Sequence, residues 1–141
     1  RLRLQAHVFS LADVLTEVLA HSKAEAIHKG LQIEVTSNID ACVWVRADRI
    51  RLVQLLDNLF DNAVQVTKEG LIHIELSYDG QQLRCEVEDN GRGLDTSVNG
   101  LGLSLCEGLV RLQGGCLTIC ANVHQGTKIC FDLPLPTRQS E

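Results

Sequence analysis

The chain is poor in aromatic side chains, with one Trp, one Tyr and three Phe in 141 residues, and its 13 basic residues are scattered and outnumbered by 18 acidic ones. A groove for a polyanionic duplex needs clustered cations and rings for stacking, so a net charge of -5 leaves nucleic-acid binding without a footprint. Long apolar runs are also missing. Nothing approaches the roughly 20 consecutive apolar residues of a membrane-spanning helix, and no charged-then-apolar segment of the secretory kind opens the chain. The abrupt start at Arg1 reads as a piece of something longer. The six cysteines, Cys42, Cys85, Cys106, Cys116, Cys120 and Cys130, form no Cys-x-x-Cys pair. Most fall inside apolar strand or helix patterns, so buried reduced thiols in a reducing compartment are expected, rather than disulfides or a metal site. His7, His21, His28, His73 and His124 are dispersed, which argues for surface or half-buried roles.

What is present suits one globular domain. A chain that is 45% hydrophobic at this length can bury one sizeable core and is too short for two ordinary domains. Gln5 to Phe9 alternates as a short strand, and Ser10 can cap a helix running towards His28 that Gly30 breaks. Strands are expected at Leu31 to Ile39 and Cys42 to Arg46, then a helix from near Asp48 to about Val66. Leu71 to Tyr78 and Gln82 to Asp89, joined by Asp79-Gly80, read as a hairpin. A last helix from about Gly100 to Gln113 ends at Gly114-Gly115, and strands at Leu117 to Asn122 and Thr127 to Leu133 close the order. The domain is expected over residues 1–136, with 137–141 an exit tail or the start of a linker. There is no internal repeat and no low-complexity segment.

The chemistry concentrates in three places. On the helix from Asp48, Gln54, Asn58 and Asn62 recur every four residues, beside a core stripe of Leu52, Leu55, Leu56, Leu59 and Ala63. Asparagine is a poor helix former, so two in register point to a ligand facing that stripe; from the helix alone, solvated amides are an equally good account. Further on, Val87-Glu88-Asp89-Asn90-Gly91-Arg92-Gly93-Leu94 ends a strand. There a carboxylate can accept from an exocyclic amino group such as adenine's, and Gly91 and Gly93 allow close backbone approach. Asn99-Gly100-Leu101-Gly102-Leu103-Ser104-Leu105 then opens a helix whose bare amides form a favourable phosphate site. Taken singly, each glycine pair is more often an ordinary turn.

In their fixed order these elements resemble the catalytic and ATP-binding domain of bacterial sensor histidine kinases, a family within the superfamily shared with gyrase, the Hsp90 chaperones and MutL. The first box is similar to Asn58-Leu59-Phe60-Asp61-Asn62-Ala63, the second to Asp89-Asn90-Gly91-Arg92-Gly93-Leu94, and the third to Gly100-Leu101-Gly102-Leu103-Ser104-Leu105. Gly126-Thr127 followed by a strand to Leu135 resembles the closing strand of these domains, and Val8-Phe9-Ser10-Leu11 and Lys29-Gly30-Leu31 resemble the lead-in.

The resemblance implies an α+β fold: a two-layer α/β sandwich of the Bergerat type, with three main helices on one face of a mixed, mainly antiparallel sheet. It implies ATP and Mg as cofactors. Asp89 would recognise the adenine amino group with Thr127 in support, Asn62 would ligand magnesium, and Asn58 would line the phosphate–metal region. Backbone around Gly91, Gly93 and Leu94 would approach the nucleotide, and amides near Gly100, Leu101, Gly102 and Leu103 would hold the phosphates. The hydrolysing relatives carry a glutamate at the position of Asn58, and an amide cannot act as a general base. Transfer to an external histidine is therefore implied, on a dimerisation and histidine phosphotransfer domain of the same protein, with a receiver domain downstream. The resemblance further implies a monomeric isolated domain, placed in the cytoplasm as part of a membrane-anchored sensor, simple or hybrid. No catalytic residue is expected in this chain itself.

Departures from the family pattern matter. Gln65 and Val66 stand where a lysine and an aromatic are usual, Val98 replaces the first glycine of the third box, and only Leu94 to Asn99 separates the glycine turns. So short a lid cannot fold over a triphosphate, and weak or metal-dependent binding is expected. The alternative function is a degenerate, weakly nucleotide-binding module acting as a regulatory interaction surface.

Overall fold

A computed structural model describes residues 5–67, 69–89, 105–121 and 127–137, with backbone alone at 119–121 and 127. β1 (His7–Ser10) runs directly into α1 (Leu11–Lys29), because Ser10 is the expected cap: its hydroxyl accepts from the Asp13 amide at 3.3 Å. At the far end Gly30 takes the left-handed conformation, φ 82°, which lets its N–H reach the carbonyls of Ala26 and Ile27. β2 (Gln32–Ser37) and β3 (Trp44–Ala47) follow. α2 (Arg49–Val66) is capped by Asp48, which accepts from the amides of Arg51 at 3.0 Å and Gln5 at 2.8 Å.

β4 (Leu71–Tyr78) and β5 (Gln82–Asp89) form the expected hairpin. Asp79 shapes its turn by accepting from the amides of Gln81 and Gln82 at 2.9 and 2.8 Å, and Gly80 supplies φ 94°. A third helix, α3, occupies residues 105–112 of the described chain. It ends at Gly114, φ 85°, and at Gly115, where an added Cβ would collide with the Asp132 carbonyl. β6 (Cys116–Ala121) and β7 (Thr127–Pro134) complete the order.

Five strands make one sheet in the order β2-β4-β5-β7-β6. The β2–β4 pair is parallel, with α2 lying in the crossover, and the other three pairs are antiparallel. β1 and β3 stand apart as a two-stranded antiparallel ribbon, a pairing that periodicity leaves open. The chain stays pinned to this ribbon as far as Thr137, which bridges to Val45.

Strand alternation decides the layers. Leu83, Cys85 and Val87 of β5, Ile72, Ile74 and Leu76 of β4, and Ile129, Phe131 and Leu133 of β7 are buried. Their neighbours on the other face are polar and ion-paired: Arg84 with Asp132 at 2.9 Å, Lys128 with Glu86 at 3.0 Å. Such half-exposed pairs add little stability, but covering that face would bury their charges. The helices therefore pack on one face, as a two-layer α/β sandwich with a mixed, mainly antiparallel sheet. On α2 the expected core stripe is buried and is widened by Phe60 and Val64, because α1 and the sheet cover the helix from two sides.

The cysteines need a correction. Cys85 and Cys106 are buried and Cys130 is half-buried, but Cys42 lies exposed in the turn before β3 and Cys116 is exposed at the start of edge strand β6. An apolar neighbourhood in sequence does not bury a residue in a turn or at a sheet edge.

Candidate functional site

The polar stripe of α2 runs along the boundary of the core and sinks into it. Gln54 and Asn58 are half-buried, whereas Asn62 is only 8% exposed. Asn58 spends its side-chain N–H on the carbonyl of Gln54, 3.2 Å away, and Gln54 accepts from Arg51 at 3.1 Å. Asn62 differs, since its buried Nδ2 has no hydrogen-bond partner. An unpaired buried amide nitrogen is costly, about 1–3 kcal/mol, and calls for an explanation such as an absent ligand.

Asp89 is the second buried polar group, 4% exposed at the end of β5. It continues the inward series Leu83, Cys85, Val87, so its carboxylate belongs to the helix-facing side of the sheet. β4 places Ile72 opposite it. On the other side Glu88 pairs with Lys128, and continuing that register by one residue brings the backbone of Thr127 alongside Asp89. α2 packs against β5, so Asn62 and Asp89 both belong to the space between the layers. Gly91, Gly93, Leu94, Gly100, Leu101, Gly102 and Leu103 lie outside the described residues, as do Asn90, Val98 and the side chain of Thr127.

Three residues near the site were given no role of their own by the sequence. Thr67, directly after α2, is fully buried with an unpartnered Oγ1. Lys29 reaches from α1 to the carbonyls of Val64 and Gln65; its motif was legible, but not its target. Asp61 turns towards α1, with Oδ1 3.6 Å from His21 Nδ1. Burial holds its carboxyl above the ordinary carboxylate value; His21 partly offsets this, while Asp57 and Glu25 add to it. Asp57 lines a shallow groove of about 260 Å³ with Glu17, Val18 and His21. Among the described residues no His, Cys, Asp and Glu side chains gather in a metal-binding group.

The donor set suits a magnesium nucleotide better than a protein-enclosed metal. Magnesium keeps waters and phosphate oxygens and takes one or two protein oxygens, which a single Asn62 amide can supply. A buried carboxylate at a strand end suits an amino-bearing base.

Comparison with known proteins agrees with the fold. Residues 47–137 match the family described as histidine kinase-, DNA gyrase B-, and HSP90-like ATPase. The autoinducer 2 sensor kinase/phosphatase LuxQ of Vibrio cholerae is 30% identical, over 96% of this chain and 19% of its own length. That alignment runs over 160 positions, more than the 141 residues here, so the relative carries residues that this chain lacks. Full-length ShkA, solved in complex with AMPPNP, superposes with a TM-score of 0.80 at 26% identity, over 96% of this chain and 32% of that one. The histidine kinase AdeS of Acinetobacter baumannii gives 0.73 at 25% identity, over 98% and 70%. The chain spans from 16% to 25% of the length of the curated relatives it matches. A family match over most of the chain, sensor-kinase relatives and the two-layer fold together show that this chain belongs to the histidine kinase-, DNA gyrase B- and HSP90-like ATPase family, as a catalytic ATPase domain of the histidine kinase type.

Proposed function

We propose that the domain binds magnesium-ATP between the helix layer and the sheet and presents the γ-phosphate to a histidine on a separate dimerisation domain of the same protein. The observation that carries this is the pair of buried polar side chains in the interlayer, Asn62 with an unpartnered Nδ2 and Asp89 at the end of β5. In this reading Asp89 would accept from the adenine amino group, assisted by Thr127, and Asn62 would ligand magnesium through its amide oxygen, leaving Nδ2 to donate to a phosphate oxygen, while Asn58 would line the same region. Gly91, Gly93 and Leu94 let the backbone approach, and amides around Gly100, Leu101, Gly102 and Leu103 hold the phosphates. Magnesium, when bound, neutralises phosphate charge, and the protein's share is positioning.

Transfer is favoured over hydrolysis by where the carboxylates of α2 go. Asp57 lines the groove against α1 and Asp61 meets His21, so neither flanks the Asn62 side as a base for water, and Asn58 has no basic atom to offer. A receiver aspartate would take the phosphoryl group in a later step.

Calorimetric titration with a non-hydrolysable ATP analogue, with and without magnesium, tests the reading alongside Asp89→Asn. Magnesium-dependent binding that the substitution abolishes is expected. No binding by the unmodified domain at millimolar nucleotide would favour the second reading, a regulatory interaction module. The observation in favour of that reading is the short segment Leu94 to Asn99 between the two glycine turns, together with Gln65 and Val66 after the first box.

A further inference from the structure

Lys29 closes a helix that is not its own. Its Nζ donates to the carbonyls of Val64 at 2.6 Å and Gln65 at 2.7 Å, 35 and 36 residues further along the chain. These are among the last carbonyls of α2, which have no partner within the helix. α2 has no basic residue in its last turn, and its cap, Thr67, is extended (φ -84°, ψ 118°), with its N–H returning only to Ala63. α1 ends on left-handed Gly30 and so closes its own carbonyls; α2 has no such cap and takes its donor, and a cation for the negative end of its dipole, from α1. The three residues of the lead-in motif divide the work: Gly30 ends α1, Leu31 is buried, and Lys29 ends α2.

The turn held in this way follows directly on Asn62. The chain then leaves through buried Thr67 to Gly70, whose carbonyl accepts from Gln32 at the start of β2. A slack last turn would let Asn62 rotate away from the interlayer, where its unpartnered Nδ2 lies. Resting on the function proposed above, we infer that Lys29 is a positioning residue for magnesium-nucleotide binding: it holds the last turn of α2 so that Asn62 faces the phosphate–metal region. It touches neither nucleotide nor metal.

Two readouts on the folded domain test this with Lys29→Met and Lys29→Arg. Without nucleotide, amide hydrogen exchange in Lys29→Met should quicken at Val64 to Thr67 and stay unchanged at Leu52 to Leu59. In calorimetry, affinity for a magnesium-loaded ATP analogue should fall about tenfold, the scale on which lost outer-shell partners weaken a metal site. Affinity for adenosine should not change, and Lys29→Arg, still able to donate to both carbonyls, should restore the first two properties. Full analogue affinity in Lys29→Met, or an equal loss for adenosine, overturns the inference and leaves Lys29 a structural cap. Should Lys29→Met fail to fold, Lys29→Gln, shorter and uncharged, carries the same comparison. Failure of the underlying function appears separately, as an unmodified domain that binds no analogue.

Discussion

Asn58 donates its side-chain amide to the carbonyl of Gln54, 3.2 Å away, whereas Asn62, one turn further along α2, keeps Nδ2 buried and unpartnered. Two residues of the same type at helical spacing are thus in different states. One has been absorbed by its helix and the other has a hydrogen-bonding group still to satisfy.

Substitution separates them. Asn62→Ala removes an unpaired buried group, so the packing lost is offset and unfolding free energy should change by less than about 1 kcal/mol in urea titration. Its affinity for a magnesium-loaded ATP analogue should nevertheless fall at least about tenfold, or 1.4 kcal/mol. Asn58→Ala exchanges a poor helix former for a good one and should be neutral to slightly stabilising, with a smaller loss of affinity. Equal losses of affinity from the two variants would remove the distinction.

Asp61 predicts an unusual pH response. Its carboxyl sits above the ordinary value of 3.8, chiefly through burial; the charge of His21 opposes the rise, and those of Asp57 and Glu25 add to it. A raised folded-state value means that the folded form holds its proton more tightly than the unfolded chain, so this group costs stability once pH rises through that value and the cost disappears on acidification. Asp61→Asn should therefore raise Tm at neutral pH, and its advantage should shrink as pH falls. Thermal melts from about pH 7 to pH 4, a range reaching down to ordinary carboxylate values, check this; parallel melting curves would refute it.

The cysteines should divide by reactivity. Burial pushes the Cys106 thiol up to about 12 from the usual 9.0 and raises Cys85 as well. For Cys106 that shift lowers the thiolate fraction about a thousandfold, and its burial excludes the reagent too. Iodoacetamide at neutral pH, read by peptide mass spectrometry, should modify exposed Cys42 and Cys116 within the time that Cys85 and Cys106 stay free. All should react once the domain is unfolded in urea.

Much of the architecture was legible in the sequence because its signals are local. Ser10, Gly30, Asp48 and Asp79-Gly80 act within a few residues through caps and turns, and β4 and β5 fall at the expected bounds, Leu71–Tyr78 and Gln82–Asp89. The core stripe of α2 and the inward place of Asp89 follow from periods of 3.6 and 2, which a residue's neighbours already display. What the tertiary structure alone decided needed partners distant in the chain. The β1–β3 ribbon depends on which strand edges meet, and the exposure of Cys42 and Cys116 on which elements cover them. The turn of Asp57 and Asp61 towards His21, and the reach of Lys29 to Val64 and Gln65, depend on how α1 lies against α2. The residue types were visible from the start, but the side chains on which a helix end or a buried amide depends are chosen by packing across the layers, which no local pattern encodes.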